Sequence, residues 1–148
     1  WSGTLPAGVR SAQAACTMDW GATLVELAGG KPPADRPFDG IDLLPILRGD
    51  TPPLPRTLFW RRSLDPHRRN VQPHRAVRQG DWKYIDQPDG TRYLYELSRD
   101  VGEAHNLVAD HPDRARELKS LLDGWERDVD GSAPSNAGPA SKGPSATN

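Results

Sequence analysis

The chain has 148 residues and a formal net charge of −1. That length fits one ordinary domain with a modest core, and the near-neutral charge argues against a nucleic-acid-binding protein, which usually carries a clear basic excess. No stretch approaches the roughly 20 apolar residues that a membrane-spanning helix needs, and the single cysteine, Cys16, excludes an internal disulfide.

The first third of the chain predicts two helical segments. Apolar residues recur at helical intervals between residues 17 and 28, and Gly29 follows them as a natural C-cap, which predicts a short buried helix. After a proline-rich loop, Asp42 is placed to cap a single turn with Pro45 near its start, and Gly49 ends that turn.

The pattern changes from helical to strand-like at residue 57. Runs rich in β-forming residues, separated by turns, predict four strands, at residues 57–61, 74–78, 82–85 and 92–97. The second and third runs flank a Gly-containing turn at 79–81, which predicts a hairpin. In each run one face is apolar, carried by Ala76, Trp82 and Tyr84 or their neighbours, and the other is charged, which favours an antiparallel sheet with one wet face.

The last predicted element is an amphipathic helix that begins near Pro112. Its apolar residues step by three or four and are Ala115, Leu118, Leu122, Trp125 and Val129. This helix is expected to cover one face of the sheet, so the predicted fold class is α+β. Residues 131–148 contain nothing that could anchor a core and are predicted to be a disordered tail.

Five segments, taken in order, resemble the C-terminal third of the sulfatases, that is, of the arylsulfatases and N-sulfoglucosamine sulfohydrolase-like enzymes of the alkaline-phosphatase-like superfamily. They are Trp1-Ser2-Gly3 with Leu5-Pro6-Ala7-Gly8, then Asp19 to Gly29, Phe38 to Leu47, Ala76 to Ile85, and Leu94-Tyr95-Glu96-Leu97 with Asp100, Glu103 and Asn106-Leu107. The last two segments are the most specific. Ser2 and Ala22 stand where the family has proline, and Val101-Gly102 replaces Pro-x.

The resemblance implies the C-terminal part of a sulfuric ester hydrolase. It implies that residues 1–56 are the edge of the catalytic domain, residues 57–130 are the C-terminal subdomain and residues 131–148 are the tail. The helix at 17–28 and the turn at 41–47 would then pack on the catalytic domain, and their apolar faces would be exposed without it.

The chemistry of the resembled family lies upstream of Trp1. It uses a formylglycine made from the cysteine of Cys-x-Pro-x-Arg and a divalent cation, usually calcium. Met18 and Trp20 stand where that motif would place Pro and Arg after Cys16. We therefore expect no catalytic residue, no metal ligand and no cofactor in this chain, and no activity from the chain alone.

The remaining polar residues are weaker candidates. Asp39 and Asp42 are better interpreted as caps than as calcium ligands, and the histidines lack two-ligand helical spacing for zinc. The resemblance implies that C-terminal loops shape the substrate pocket. His67, His74 and Arg75 are accordingly the candidate pocket residues, because a loop rich in Arg and Pro would supply positive charge to an anionic ester.

Other hypotheses remain open. The expected partner is the upstream catalytic domain, with a sulfate ester bound only when the enzyme is complete. One alternative is a stand-alone binding or interaction module derived from a sulfatase C-terminal domain, and another is an esterase with an unrecognised site. The sequence leaves open whether the ester is an aryl sulfate, a sugar O-sulfate or an N-sulfate. It leaves the location open too, although members of the resembled family are often exported.

Overall fold

The computed structural model describes residues 1–62 and 74–132. The chain divides into two compact units, Trp1–Thr57 and Leu58–Asn148, called unit 1 and unit 2 below. Unit 1 carries helices and loops, and unit 2 carries the sheet and the long helix.

Unit 1 contains the two helical segments that the sequence predicts. Helix α1 spans Thr17–Leu27 and is followed by Gly29, whose φ of 74° is the left-handed conformation that favours glycine. Helix α2 spans Leu44–Arg48, and the Asp42 carboxylate accepts a hydrogen bond from the backbone N–H of Leu44 at 2.9 Å. Gly49, with a φ of 86°, ends it.

The interior of unit 1 is organised by a buried carboxylate rather than by a large apolar core. Asp19 is fully buried, and its carboxylate accepts hydrogen bonds from the backbone N–H groups of Cys16 at 2.7 Å and Ile41 at 3.0 Å. The Arg56 guanidinium lies 2.8 Å from the same carboxylate. One side chain therefore ties the start of α1 to two distant loops.

A close backbone approach explains the glycine in the Asp39-Gly40 pair. A Cβ built on Gly40 would lie 2.4 Å from the carbonyl oxygen of Met18 and 2.9 Å from the backbone nitrogen of Asp19. Any side chain at residue 40 would push this loop away from α1. The glycine is thus needed for the contact that brings Ile41 to Asp19.

Unit 2 is built on a four-stranded sheet in the order β1-β2-β3-β4. The strands are β1 Thr57–Arg62, β2 His74–Gln79, β3 Trp82–Asp86 and β4 Arg92–Glu96. The last three strands are antiparallel neighbours, with Val77 opposite Tyr84 and Tyr84 opposite Leu94. The predicted hairpin is therefore confirmed, and Gly80 with a φ of 59° makes its turn.

Helix α3 spans Pro112–Ser132 and covers one face of the sheet. The core between them is formed by six buried residues, which are Val77, Tyr84, Leu94, Ala115, Leu118 and Leu122. Side chains alternate across a strand, so Val77 rather than Ala76 shares the core face with Trp82 and Tyr84. The α+β fold is confirmed.

The end of the chain differs slightly from the prediction. Helix α3 continues through Gly131 and Ser132, residues that the sequence assigned to a disordered tail. The rest of that predicted tail lies outside the described residues. Within the described ranges, none of the helices combines the length and the apolar character that crossing a bilayer requires.

Candidate functional site

The predicted pocket residues fall around the start of β2. His67 lies outside the described residues, as does the connection at 63–73. His74 and Arg75 are the first two residues of β2 and are half-buried. Since neighbouring residues of a strand point to opposite faces of a sheet, the structure does not bring these two side chains together.

Arg75 is engaged inside unit 2. Its guanidinium donates hydrogen bonds to Asp86 on β3 at 2.5 Å and, on α3, to Glu126 at 2.5 Å and Asp123 at 3.2 Å. Arg75 thus clamps the helix to the sheet. The sequence analysis missed this role because the helix partners are 48 and 51 residues away along the chain. The pocket role of Arg75 stays a prediction, and these contacts do not favour it.

The sheet face turned away from α3 carries two neighbouring basic side chains. Arg78 and Lys83 are cross-strand partners, and the Lys83 ammonium lies 2.6 Å from the Glu103 carboxylate. Glu103 has a φ of 55°, the only left-handed non-glycine conformation in the described ranges. Glu103 therefore links its loop to β3 through a side-chain ion pair.

Asn106 links its loop to β4 through two hydrogen bonds. Its side-chain oxygen accepts a hydrogen bond from the backbone N–H of Leu94 at 3.0 Å, and its amide donates to the carbonyl of Arg92 at 3.0 Å. The side chain therefore satisfies the outer edge of β4, where an unpaired edge would otherwise face solvent. Within the motif from Leu94 to Leu107, Asn106 therefore has a structural role, which is to hold the loop after β4 against that strand.

Unit 1 holds the other residues that the sequence singles out. Cys16 is half-buried and directly precedes α1. Asp42 serves as the helix-start acceptor described above. Among residues 1–62 and 74–132, no group of three or more His, Cys, Asp or Glu side chains is arranged to hold a metal ion.

The most unusual feature of unit 1 is its exposed apolar surface. Seven large apolar side chains of this unit are at least 41% exposed, and they are Trp1, Val9, Met18, Trp20, Leu24, Phe38 and Leu54. Two of them, Met18 and Phe38, line a groove of about 630 Å³. We call these seven residues the apolar surface of unit 1. Where such side chains are contiguous, as Met18 and Phe38 are around this groove, they are typical of interaction sites.

Comparison with known proteins identifies the class of this fold. A solved protein in complex with its substrate D-glucosamine-2-N,6-O-disulfate superimposes with a TM-score of 0.69 at 21% identity, over 91% of this chain and 28% of that chain. A sulfatase of Formosa agariphila is 28% identical over 140 residues, which cover 81% of this chain and 24% of its own length. The N-acetylgalactosamine-6-sulfatase of Canis lupus familiaris is 49% identical over 49 residues, or 33% of this chain and 9% of its own. The fold is that of a sulfatase C-terminal region.

The family follows from a match over nearly the whole described chain. Residues 1–126 match the family described as N-sulphoglucosamine sulphohydrolase, C-terminal. The chain belongs to this family. It spans only 9% to 12% of the first curated relatives it matches and about 28% of the solved protein above.

Proposed function

We propose that this chain is the C-terminal part of a sulfuric ester hydrolase and that it works only when joined to a catalytic part. One observation carries the proposal: residues 1–126 match a C-terminal sulfatase family while the chain covers about a quarter of a full-length relative. The formylglycine, the divalent cation and the sulfate ester would then be held by the catalytic part. In this chain, the residues that follow Cys16 are not those of the formylglycine motif.

The proposed role of unit 1 is to complete the catalytic part. Its apolar surface supports this role, because removing apolar area from water is favourable by roughly 25 cal/mol per Å² before the costs of association are counted. Residues 1–56 would form the edge of the catalytic domain and residues 57–130 the C-terminal subdomain. The boundary between the two compact units, at Thr57 and Leu58, supports this division.

The proposed role of unit 2 is to shape the substrate pocket. His67, His74 and Arg75 are the residues that we propose lie near the bound ester. Arg75 is the least favoured of the three, because its guanidinium already donates to carboxylates on β3 and α3. His74 neighbours Arg75 on β2, so its side chain faces the opposite side of the sheet from those carboxylates, and it lies directly after the connection at 63–73.

The proposal is tested by assaying the purified 148-residue chain against an aryl sulfate in the presence of calcium. We expect no sulfate release above the buffer rate. Saturable hydrolysis would contradict the proposal and favour an esterase with its own site. A full-length sulfatase assayed in the same buffer is the control that shows the assay works. Light scattering on the same sample tests whether the apolar surface of unit 1 promotes self-association.

A further inference from the structure

Unit 2 contains a small cavity that the sulfatase assignment does not use. It has a volume of about 200 Å³ and lies beside the first turns of α3. Its apolar lining comes from Val108, Pro112 and Ala115, and Tyr84 on β3 also lines it. An apolar cavity of roughly 150 Å³ is enough to hold benzene. The space therefore suits a compact organic body.

Tyr84, which lines this cavity, also carries an unsatisfied polar group. The residue is only 1% exposed, and its hydroxyl oxygen is buried without a hydrogen-bond partner in the described part of the chain. A buried donor without an acceptor is costly. Burial, with the nearby Asp86 carboxylate, raises the pKa of Tyr84 to about 12. The phenol consequently stays protonated at neutral pH and can donate.

The polar lining is otherwise cationic. Arg92, Arg116 and Lys119 complete the cavity, and none of the acidic residues in the described part of the chain lines it. Each cation also has one carboxylate partner outside the lining, namely Asp86, Asp113 and Asp123 respectively. A guanidinium has five N–H donors and an ammonium has three. Pairing with a single carboxylate therefore leaves donors available to a ligand.

We propose that this cavity binds a small organic anion, that is, one oxyanion group on a compact apolar body. The oxyanion accepts a hydrogen bond from the Tyr84 hydroxyl and from the surrounding cations. The body packs on the apolar lining. The described side chains that line the space carry three cations, a phenol and apolar groups but no carboxylate, which favours an anionic acceptor over a cationic or purely apolar ligand. This inference does not depend on the proposed sulfatase function.

The test is a titration of the ¹⁵N-labelled chain with benzoate, followed by backbone amide shifts at constant ionic strength. Saturable shifts are expected at Val108 and Ala115. Benzyl alcohol, which has the same ring without the charge, should bind about tenfold more weakly. Inorganic sulfate, which has the charge without the body, should also bind more weakly. No saturable shift at these amides, or equal binding by either analogue, would overturn the proposal.

Two variants make the test specific. Tyr84→Phe should weaken benzoate binding about tenfold, since it removes one hydrogen bond to a charged group. Tyr93→Phe is the matched control, because Tyr93 lies on the opposite face of the sheet and should leave the affinity unchanged. If Tyr84→Phe does not fold, Arg116→Gln replaces it, because the Arg116 side chain is 78% exposed. This variant should weaken benzoate binding about threefold. Unchanged affinity in a folded Tyr84→Phe or Arg116→Gln variant would contradict the assignment.

Discussion

Units 1 and 2 are stabilised by different means. Unit 2 has a continuous apolar core between a sheet and a long helix, with Leu94, Leu118 and Leu122 fully buried. Unit 1 has a buried carboxylate at its centre, while eight of its large apolar residues, the seven of its apolar surface and Leu27, are exposed. Unit 2 thus has the continuous core of an independent fold, whereas unit 1 leaves large apolar side chains exposed, as expected if it packs on the proposed catalytic part.

The largest expected effect on stability comes from making the same substitution, Leu→Ala, once in each unit. Leu118→Ala should destabilise the chain by about 2–5 kcal/mol, because it leaves a cavity in the core of unit 2. Leu24→Ala, at a residue that is 61% exposed in unit 1, should change stability by less than about 0.5 kcal/mol. Urea titrations followed by circular dichroism measure both. Equal losses would show that the two regions do not differ in this way.

A second prediction concerns the centre of unit 1. Asp19→Asn should destabilise unit 1 by about 3 kcal/mol, since it leaves the largely buried Arg56 guanidinium without its charged partner. Hydrogen exchange of the α1 amides would report this loss, with unit 2 unaffected. Asp35→Asn is the control, because the Asp35 side chain is 77% exposed. Unchanged hydrogen exchange of the α1 amides in Asp19→Asn would show that Asp19 does not stabilise unit 1.

The same carboxylate predicts a pH dependence. Burial alone would raise the pKa of Asp19, but the backbone N–H donors of Cys16 and Ile41 and the Arg56 guanidinium outweigh it, so the pKa lies below its ordinary value of 3.8. A lowered pKa stabilises the folded state fully above the ordinary value, and the stabilisation is lost as the pH falls through the lowered value. The α1 amides should therefore open at acid pH in the natural chain. In Asp19→Asn this transition should be absent.

Alanine substitutions at two glycines should have smaller effects on the stability of unit 1, and the two effects should have opposite signs. Gly40→Ala should destabilise unit 1 by about 2 kcal/mol, because the added carbon collides with the backbone of Met18. Gly21→Ala, where nothing lies within 4 Å of the added carbon, should stabilise α1 by about 1 kcal/mol. Thermal unfolding monitored at unit 1 amides distinguishes them. Two changes of the same sign would refute the close approach.

The smallest effect is expected on the sheet face turned away from α3. Lys83 and Glu103 form an ion pair whose side chains are 25% and 31% exposed. A double-mutant cycle with Lys83→Gln and Glu103→Gln should give a coupling of less than about 1 kcal/mol. A much larger coupling would mean that this pair, rather than the core, holds the loop.

The sequence analysis predicted the elements better than the contacts between them. The periodicity of apolar residues and the positions of turn residues were enough to predict α1, the hairpin and α3, because these signals are local in the sequence. The clamp from Arg75 to α3 could not be predicted, since it joins residues that come together only after the helix packs. The fully buried Asp19 was recognised only as part of a family motif. Nothing local distinguishes a buried aspartate from an ordinary helix-start residue.

The candidate site shows the same limit. The sequence analysis selected His67, His74 and Arg75 as pocket residues, and the contacts of Arg75 favour a structural role instead. The cavity beside Tyr84 was missed because its lining comes from β3, β4, α3 and the segment before it. Tyr84 has the alternating pattern of any core strand residue. Its unsatisfied hydroxyl is visible only in three dimensions.

The most direct test of the central claim is an exchange experiment with the Formosa agariphila sulfatase. Its region that aligns with this chain would be deleted, and then replaced by the 148 residues of this protein. We predict that the truncated host loses sulfate release from an aryl sulfate and that the chimera recovers a measurable part of it. A chimera that folds by circular dichroism but is no more active than the truncated host would contradict the claim that this chain completes a sulfatase.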